Sequence, residues 1–388
     1  MKNCAIICEY NPMHSGHVYQ IEQTRKKTGC DNIIAIMSGS FTQRGIPAIY
    51  DKWSRTEAAL KNGVDMVIEL PAVFATTPAE KFAMGGVLTA NSLGIIDTLS
   101  FGCEIVDMDI LYEIANELLN ESCAFKKVLK DFLNTGLSLA AAREKALEEV
   151  LPQAKGVLKG SNTILAIEYI KALIQTNSSI KPVAIKRTGQ DENDPSITSS
   201  FPSAFAIRSA IYKGESLDNI IPSNISNIFK NKTAVFNNML YTLVRYKLLS
   251  SNIDELFSIA DVSEGLENKM LSAALSANST DDLINTIKSK RYTYARISRI
   301  LTSLLLGITK KTSCDACNNI EYVRVLGVKK EATYLLSELS KHANAPVITN
   351  PKNCESEYIK YDILASDIHS ILENIPAGRD YTEKLISI

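Results

Sequence analysis

The chain has 388 residues, 45% of them hydrophobic and 22% charged, with a formal net charge of -1. That is the composition of an ordinary globular protein with room for two or three cores, and it excludes a disordered, collagenous or globally nucleic-acid-coating chain. No apolar stretch is long enough to span a bilayer and the first residues lack the basic region and cleavage site of a secretory signal, so no membrane role and a cytoplasmic location are expected. The eight cysteines are scattered, with Cys4, Cys8 and Cys103 in or beside strand-like runs, which points to reduced thiols.

In chain order, the first half alternates short Ile/Val-rich runs with helical patterns. Strands are expected at Asn3–Cys8, Asn32–Met37, Asp65–Leu70, Asp97–Phe101 and Pro182–Lys186. Helices are expected at 15–28, 52–62, 78–92, 105–149 with a break near Gly136, and Ser161–Gln175. This alternation argues for an α/β fold, a doubly wound parallel sheet of Rossmann-like type, whose ligands sit beyond the carboxyl ends of the strands. The stretch Ile220–Lys232, rich in Ser, Asn and Pro, marks a domain boundary, giving domains of 1–222 and 223–388. The second reads as mainly helical: 233–250, 252–259, 264–276, 279–288, 292–307, 329–341 and 366–373.

The near-neutral total conceals an asymmetry. Between Thr286 and Lys330 ten Lys/Arg face only Asp315 and Glu321, so this segment carries about +8 and the remainder about -9. Lys288, Lys290, Arg291, Arg296 and Arg299 surround Tyr292 and Tyr294, and helical spacing puts Tyr292, Arg296 and Arg299 on one face. Such a face suits RNA phosphates and an unpaired base, with a solvated helix as the alternative. Ile297, Ile300, Leu301 and Leu304 are expected in the core. Trp53, Lys52 and Arg55 in "KWSRT" offer either a second RNA contact or a solvated helix face.

The chemistry concentrates at the first strand-to-helix junction, "AIICEYNPMHSGHVYQIE". Two of only four histidines, His14 and His17, fall on the first turn of the expected helix with Gly16 between them. A helix N-terminus attracts phosphate, imidazoles there donate hydrogen bonds to charge developing in phosphoryl chemistry, and glycine permits close approach. The alternatives are a metal pair or two ordinary surface histidines; the zincin spacing does not match. Cys314-x-x-Cys317, with His342 and Cys354, is weak evidence for zinc, and no metal ligands are assigned.

His14-Ser15-Gly16-His17 resembles the His-x-Gly-His signature of the adenylyl-transferring superfamily that includes class I aminoacyl-tRNA synthetases, and "FPSAFAIRSAI" (201–211) is similar to its second signature. The strings "EYNPMHSGHVYQI", "MSGSFTQRGIPAIYDKWSRTEAAL", "GVDMVIELP", "FGCE" and "SNTILAIEYIKAL" resemble, in order, the tRNA(Met) cytidine acetate ligases, with a weaker match through "RYTYARISRIL" and "EYVRVLG". Met13 and Ile46 depart from the aromatic and acidic residues expected there. The resemblance implies that acetate and ATP form acetyl-adenylate, whose acetyl group passes to the wobble cytidine of elongator tRNA(Met).

On that resemblance the ATP loop comprises Ile7, Cys8, Glu9, Tyr10, Asn11, Pro12, Met13, His14, Ser15, Gly16, His17, Val18, Tyr19 and Gln20, with His14 and His17 catalytic at the phosphates. Gly102, Asn162, Arg187, Thr188, Ser203 and Arg208 complete the nucleotide site. Helix capping is the alternative for Asn162 and Ser203, a turn for Gly102 and a surface charge for Arg187. Mg²⁺ is expected with ATP. A nucleotidyltransferase for a small phosphate ester and a non-catalytic nucleotide- or RNA-binding protein are the competing readings. The residues do not speak to the oligomeric state.

Overall fold

The computed structural model describes residues 1–189, 197, 201–218, 220–263, 265–290 and 292–388. Arg291, one of the expected RNA contacts, lies outside them. The strands are β1 (Asn3–Cys8), β2 (Asn32–Ser38), β3 (Met66–Leu70), β4 (Thr98–Cys103), β5 (Lys181–Lys186), β6 (Val323–Val328), β7 (Val347–Ile348) and β8 (Ile386–Ser387). They form one sheet in the order β5-β4-β1-β2-β3-β6-β7, with β8 also on β6. β1 to β5 run parallel, as a chain that returns through a helix after each strand requires.

β1 pairs with β2 on one side and β4 on the other. The winding direction therefore reverses between β1 and β4, which opens a crevice beyond their carboxyl ends. Helices Ala79–Leu93 and Ser161–Gln175 pack on one face of the sheet, over Ile7, Ile34, Ile36 and Leu99. Helices Ser15–Thr28 and Lys52–Lys61 cover the other, over Cys4, Ile6, Ile33 and Ala35.

Helices Ser15–Thr28 and Ser161–Gln175 have the bounds their periodicity predicts. The region 105–149 differs: it forms three helices, Met108–Leu119, Cys123–Asn134 and Leu139–Val150. Besides the break at Gly136, Ser122 starts a new helix by accepting the Phe125 amide at 3.1 Å. After residue 222 the chain is mostly helical, yet β6 returns to the sheet antiparallel to β3. The helical part also shares a core with it, since Ile297 and Leu301 belong to the same buried cluster as Ile34 and Ile68.

A charged cluster lies buried where β3 meets β6. Lys52 Nζ donates to Glu69 Oε1 at 2.7 Å and to Asp380 Oδ1 at 2.7 Å, and Arg324 Nη1 lies 3.2 Å from Glu69 and bonds Asp380. Two cations and two carboxylates thus neutralise each other away from water. Burial alone would raise Asp380's carboxyl, but Lys52 and Arg324 outweigh it and hold it below its usual value. The expectation that Lys52 and Arg55 meet RNA or solvent is corrected here, because both are fully buried. Arg324, counted in the basic segment, is likewise interior.

Removing one partner from such a cluster leaves an uncompensated buried charge. Lys52→Met should cost about 3–5 kcal/mol, read as a lower urea midpoint. An unchanged midpoint would show that the cluster contributes nothing to stability.

Candidate active site

The crevice beyond β1 and β4 holds a cavity of about 370 Å³. Its lining includes Ile7, Cys8, Glu9, Tyr10 and Asn11 from the end of β1, His14, His17 and Gln20 from the first helix, and Phe101 and Gly102 from β4. Asn162, Arg187, Ser203 and Arg208 close it. A smaller recess continues past Gly16, Tyr19, Thr188 and Phe201 and shares His14, His17, Gly102 and Arg187 with the main cavity.

The local sequence explains how the histidines are set. His14 is the N-cap of helix Ser15–Thr28: its Nδ1 accepts the Gly16 amide at 3.1 Å, while His17 Nδ1 accepts the His14 amide at 3.3 Å. The pair is a reciprocal capping box built from imidazoles. With each Nδ1 occupied by a backbone N–H, each neutral ring carries its proton on Nε2 and remains a donor. The two rings lie 3.9 Å apart. A Cβ on residue 16 would stand 2.9 Å from His14 Cε1, so glycine is what lets the first ring fold back over the helix.

Burial pushes the His14 imidazole down to about 3, with Arg187 and Arg208 adding to the effect. Burial, His14 and Arg187 likewise hold His17 well below its ordinary value. Both rings are therefore neutral at physiological pH.

The other site residues divide by what they touch. Arg208 Nη1 donates to the Asn11 carbonyl at 2.7 Å and so bridges the 204–212 helix to the loop after β1. Ser203 caps that helix through the Ala206 amide at 3.0 Å and also lines the cavity. Asn162 is not an N-cap: Gly160 holds that position, and Glu104 supplies the missing side-chain acceptor to the Thr163 amide at 2.7 Å. Asn162 donates to Glu104 at 2.8 Å and accepts from Arg187 Nη1 at 3.3 Å, so an ordered chain of polar groups runs along the rim. At Gly102 a Cβ would lie 3.3 Å from Arg187 Cγ and 3.8 Å from Gln20 Oε1, toward the cavity.

Pro12, Met13, Ser15 and Val18 are outside the lining; Met13 is buried in the core beneath the loop and Val18 packs on it. Sequence reasoning did not single out Glu104, nor the lining residues Thr42, Gln43, Arg44, Phe82, Tyr169 and Phe205, and it noted Ile46 only as a departure from the family's acidic residue. Thr42 to Ile46 fall within a string that carried the family resemblance, which was the available signal.

Among the described residues no group of three or more His, Cys, Asp or Glu side chains is placed to hold a metal ion, and all eight cysteines are free thiols. Glu9 is the one carboxylate among the described lining residues. The described side chains therefore form no cage for Mg²⁺.

The expected RNA face is only partly at the surface. Lys288 and Lys290 are exposed, whereas Arg296 and Arg299 are half-buried. Arg296 lies over the Tyr292 ring at 4.8 Å and donates to the Asp261 carbonyl at 3.1 Å. Tyr292 is 9% exposed and its hydroxyl bonds Ser263, so its ring is not offered to a base. Ile297, Ile300, Leu301 and Leu304 are buried as expected.

A parallel sheet with its crevice at the switch point, and paired histidines capping the first helix beside it, are the features of a nucleotidyltransferase of the His-x-Gly-His class. A family model described as HIGH Nucleotidyl Transferase matches residues 1–384. The tRNA(Met) cytidine acetate ligase of Clostridium perfringens is 40% identical over 98% of both chains, and that of Thermoanaerobacter sp. 41% identical over 99% of both. The crystal structure of apo Thermotoga maritima TmcAL matches with a TM-score of 0.93 at 30% identity over 100% of each chain. The same protein bound with alpha-thio ATP matches with a TM-score of 0.91 over 100% of this chain and 99% of that one. The chain belongs to the tRNA(Met) cytidine acetate ligase family, within the HIGH nucleotidyltransferases, and is an ATP-dependent ligase.

The two histidines give a kinetic expectation. Removing a preorganised donor to developing charge costs about a hundredfold or more in rate, so His17→Ala should lower acetate-dependent pyrophosphate release by at least that factor. Because burial and the neighbouring arginines hold both rings neutral, the wild-type rate should show no inflection near the usual imidazole range of about 6.5. An inflection there that disappears in His17→Ala would contradict the assignment.

Proposed function

We propose that the cavity activates acetate and passes it to the wobble cytidine of elongator tRNA(Met), as N4-acetylcytidine, in the cytoplasm. The observation that carries this reading is the reciprocal cap of His14 and His17, which commits both Nδ1 atoms to the backbone and leaves two neutral Nε2–H donors at a helix N-terminus. An acetate oxygen attacks the α-phosphorus of ATP, the bond to the β-phosphate oxygen breaks, and pyrophosphate leaves with the electron pair. The charge that builds on the phosphate oxygens is what such donors stabilise. His14, His17, Arg187 and Arg208, all in the cavity lining, supply them.

The second half uses the stored activation. The exocyclic amine of cytidine attacks the acetyl carbonyl and AMP departs. Cytosine's amine is a weak nucleophile, so the enzyme's contribution is an activated acyl group held at close range. The exposed Lys288 and Lys290, with the half-buried Arg296 and Arg299, supply cationic surface on the helical part for the RNA phosphates. With no cage for it among the described residues, Mg²⁺ would arrive on the triphosphate oxygens.

The test is incubation with labelled acetate, ATP and elongator tRNA(Met), followed by nucleoside analysis. N4-acetylcytidine should appear only when all three are present, with AMP and pyrophosphate formed in step. Labelled acetate that forms acetyl-adenylate but never reaches the tRNA would limit the function to activation. Transfer of AMP to a phosphate ester instead would replace the reading.

A further inference from the structure

The acyl-transfer step has a proton to place. As the cytidine N4 atom bonds to the acetyl carbon, it must lose a hydrogen, or the amide product cannot form. We propose that the Glu9 carboxylate is the general base of this step; the inference rests on the acyl-transfer reading of the cavity. The N4–C bond forms, the bond from the acetyl carbon to the AMP phosphate oxygen breaks, its electron pair leaves with AMP, and the N4 proton passes to Glu9. The proton is then released to solvent.

Among the described residues, the groups around the cavity leave few other acceptors. His14 and His17 have both Nδ1 lone pairs engaged by backbone amides, which puts the ring protons on Nε2 and makes the imidazoles donors. Burial raises the Cys8 thiol and the Tyr10 and Tyr169 phenols above their ordinary values, so all three keep their protons. Among the described residues, the remaining charges lining the main cavity are the guanidiniums of Arg44, Arg187 and Arg208. Glu9 is the one carboxylate among the described lining residues.

Its position is fixed from two directions. The Glu9 carbonyl accepts from the buried Arg55 at 2.7 Å, and Glu9 Oε1 accepts the Gln43 amide at 2.7 Å. The backbone and one carboxylate oxygen are thereby anchored beside the histidines. Burial also raises the Glu9 carboxyl, with the Gln43 amide and Arg208, Arg44 and Arg55 opposing. A carboxylate moved upward toward the working pH, yet kept ionisable by nearby cations, suits a general base.

The test isolates transfer from activation. Preformed acetyl-adenylate is mixed with the full-length protein and tRNA(Met), and N4-acetylcytidine is followed in a single turnover at saturating adenylate. Glu9→Gln keeps the shape and an acceptor for the Gln43 amide but cannot take a proton. The expected transfer rate is lower by roughly a hundredfold or more. The wild-type rate should rise with pH as Glu9 ionises and then level, and that rise should be missing from Glu9→Gln. Transfer by Glu9→Gln within about threefold of wild type, with the same pH profile, overturns the proposal and leaves the departing phosphate as the acceptor. A defect confined to adenylate affinity, with saturated transfer intact, overturns it too and makes Glu9 a binding group. Failure of the wild-type protein itself to acetylate tRNA from acetyl-adenylate would instead sink the functional reading beneath the proposal.

Discussion

The cavity depends on one buried guanidinium. Arg55, fully inaccessible on helix Lys52–Lys61, spends its donors on backbone carbonyls rather than on a carboxylate. Nη1 bonds Glu9 at 2.7 Å and Ser38 at 3.0 Å, Nε bonds Tyr50 at 3.0 Å, and Nη2 bonds Gly39. These carbonyls belong to the chain just past β1, the end of β2 and the turn before the helix. Parallel strands end in carbonyls that have no neighbour to donate to them, and burying those groups unpaired would cost about 1–3 kcal/mol each. Arg55 satisfies four at once and gathers three segments around one point. Burial pushes the guanidinium down to about 10, with Asp51, Cys8, Glu9 and Glu69 opposing, so it stays charged.

From that point the site is assembled outward. Holding Glu9 fixes the turn through Tyr10, whose φ of 47° lies in the left-handed region, and the turn delivers His14 to the helix start. The same grip positions the 38–50 loop, whose Thr42, Gln43, Arg44 and Ile46 line the cavity. The loop's far side is docked on helix Tyr294–Leu306. The Gly45 carbonyl accepts Ser298 Oγ at 2.7 Å and Thr302 Oγ1 at 2.8 Å, and at a φ of +69° a Cβ there would sit 2.4 Å from the Arg299 nitrogen. Helix and cavity are thus two sides of one loop. This gives the helical part a structural role at the cavity, independent of any contact it makes with RNA.

Much of this was legible in the sequence because it rests on local pattern. Alternating Ile/Val runs and helical spacings located the five parallel strands, and the placement of His14 and His17 after the first strand located the crevice. What escaped was chemistry that depends on distant partners. Lys52, Arg55 and Arg324 look like surface charges in any short window. Their burial follows only when Glu69, Asp380 and the loop carbonyls are brought to them from far along the chain. β6 was missed for the same reason, since Arg324 interrupts its apolar run. Tyr292 shows the converse: helical spacing put it beside Arg296, but its ring turned inward to Ser263. Glu104 caps the helix Ser161–Gln175 by accepting the amide of Thr163, 59 residues away, a relation no local rule detects.

Arg55 builds the cavity by its hydrogen bonds rather than merely stabilising the fold. Calorimetric titration of ATP into Arg55→Lys tests this most directly, because lysine keeps the charge and loses the planar fork that reaches several carbonyls. The account predicts a protein that retains its far-ultraviolet circular dichroism and folds cooperatively, but binds ATP at least about tenfold more weakly. A variant that binds ATP with wild-type affinity would contradict it, and would show that the loops around the cavity hold their positions without the clamp.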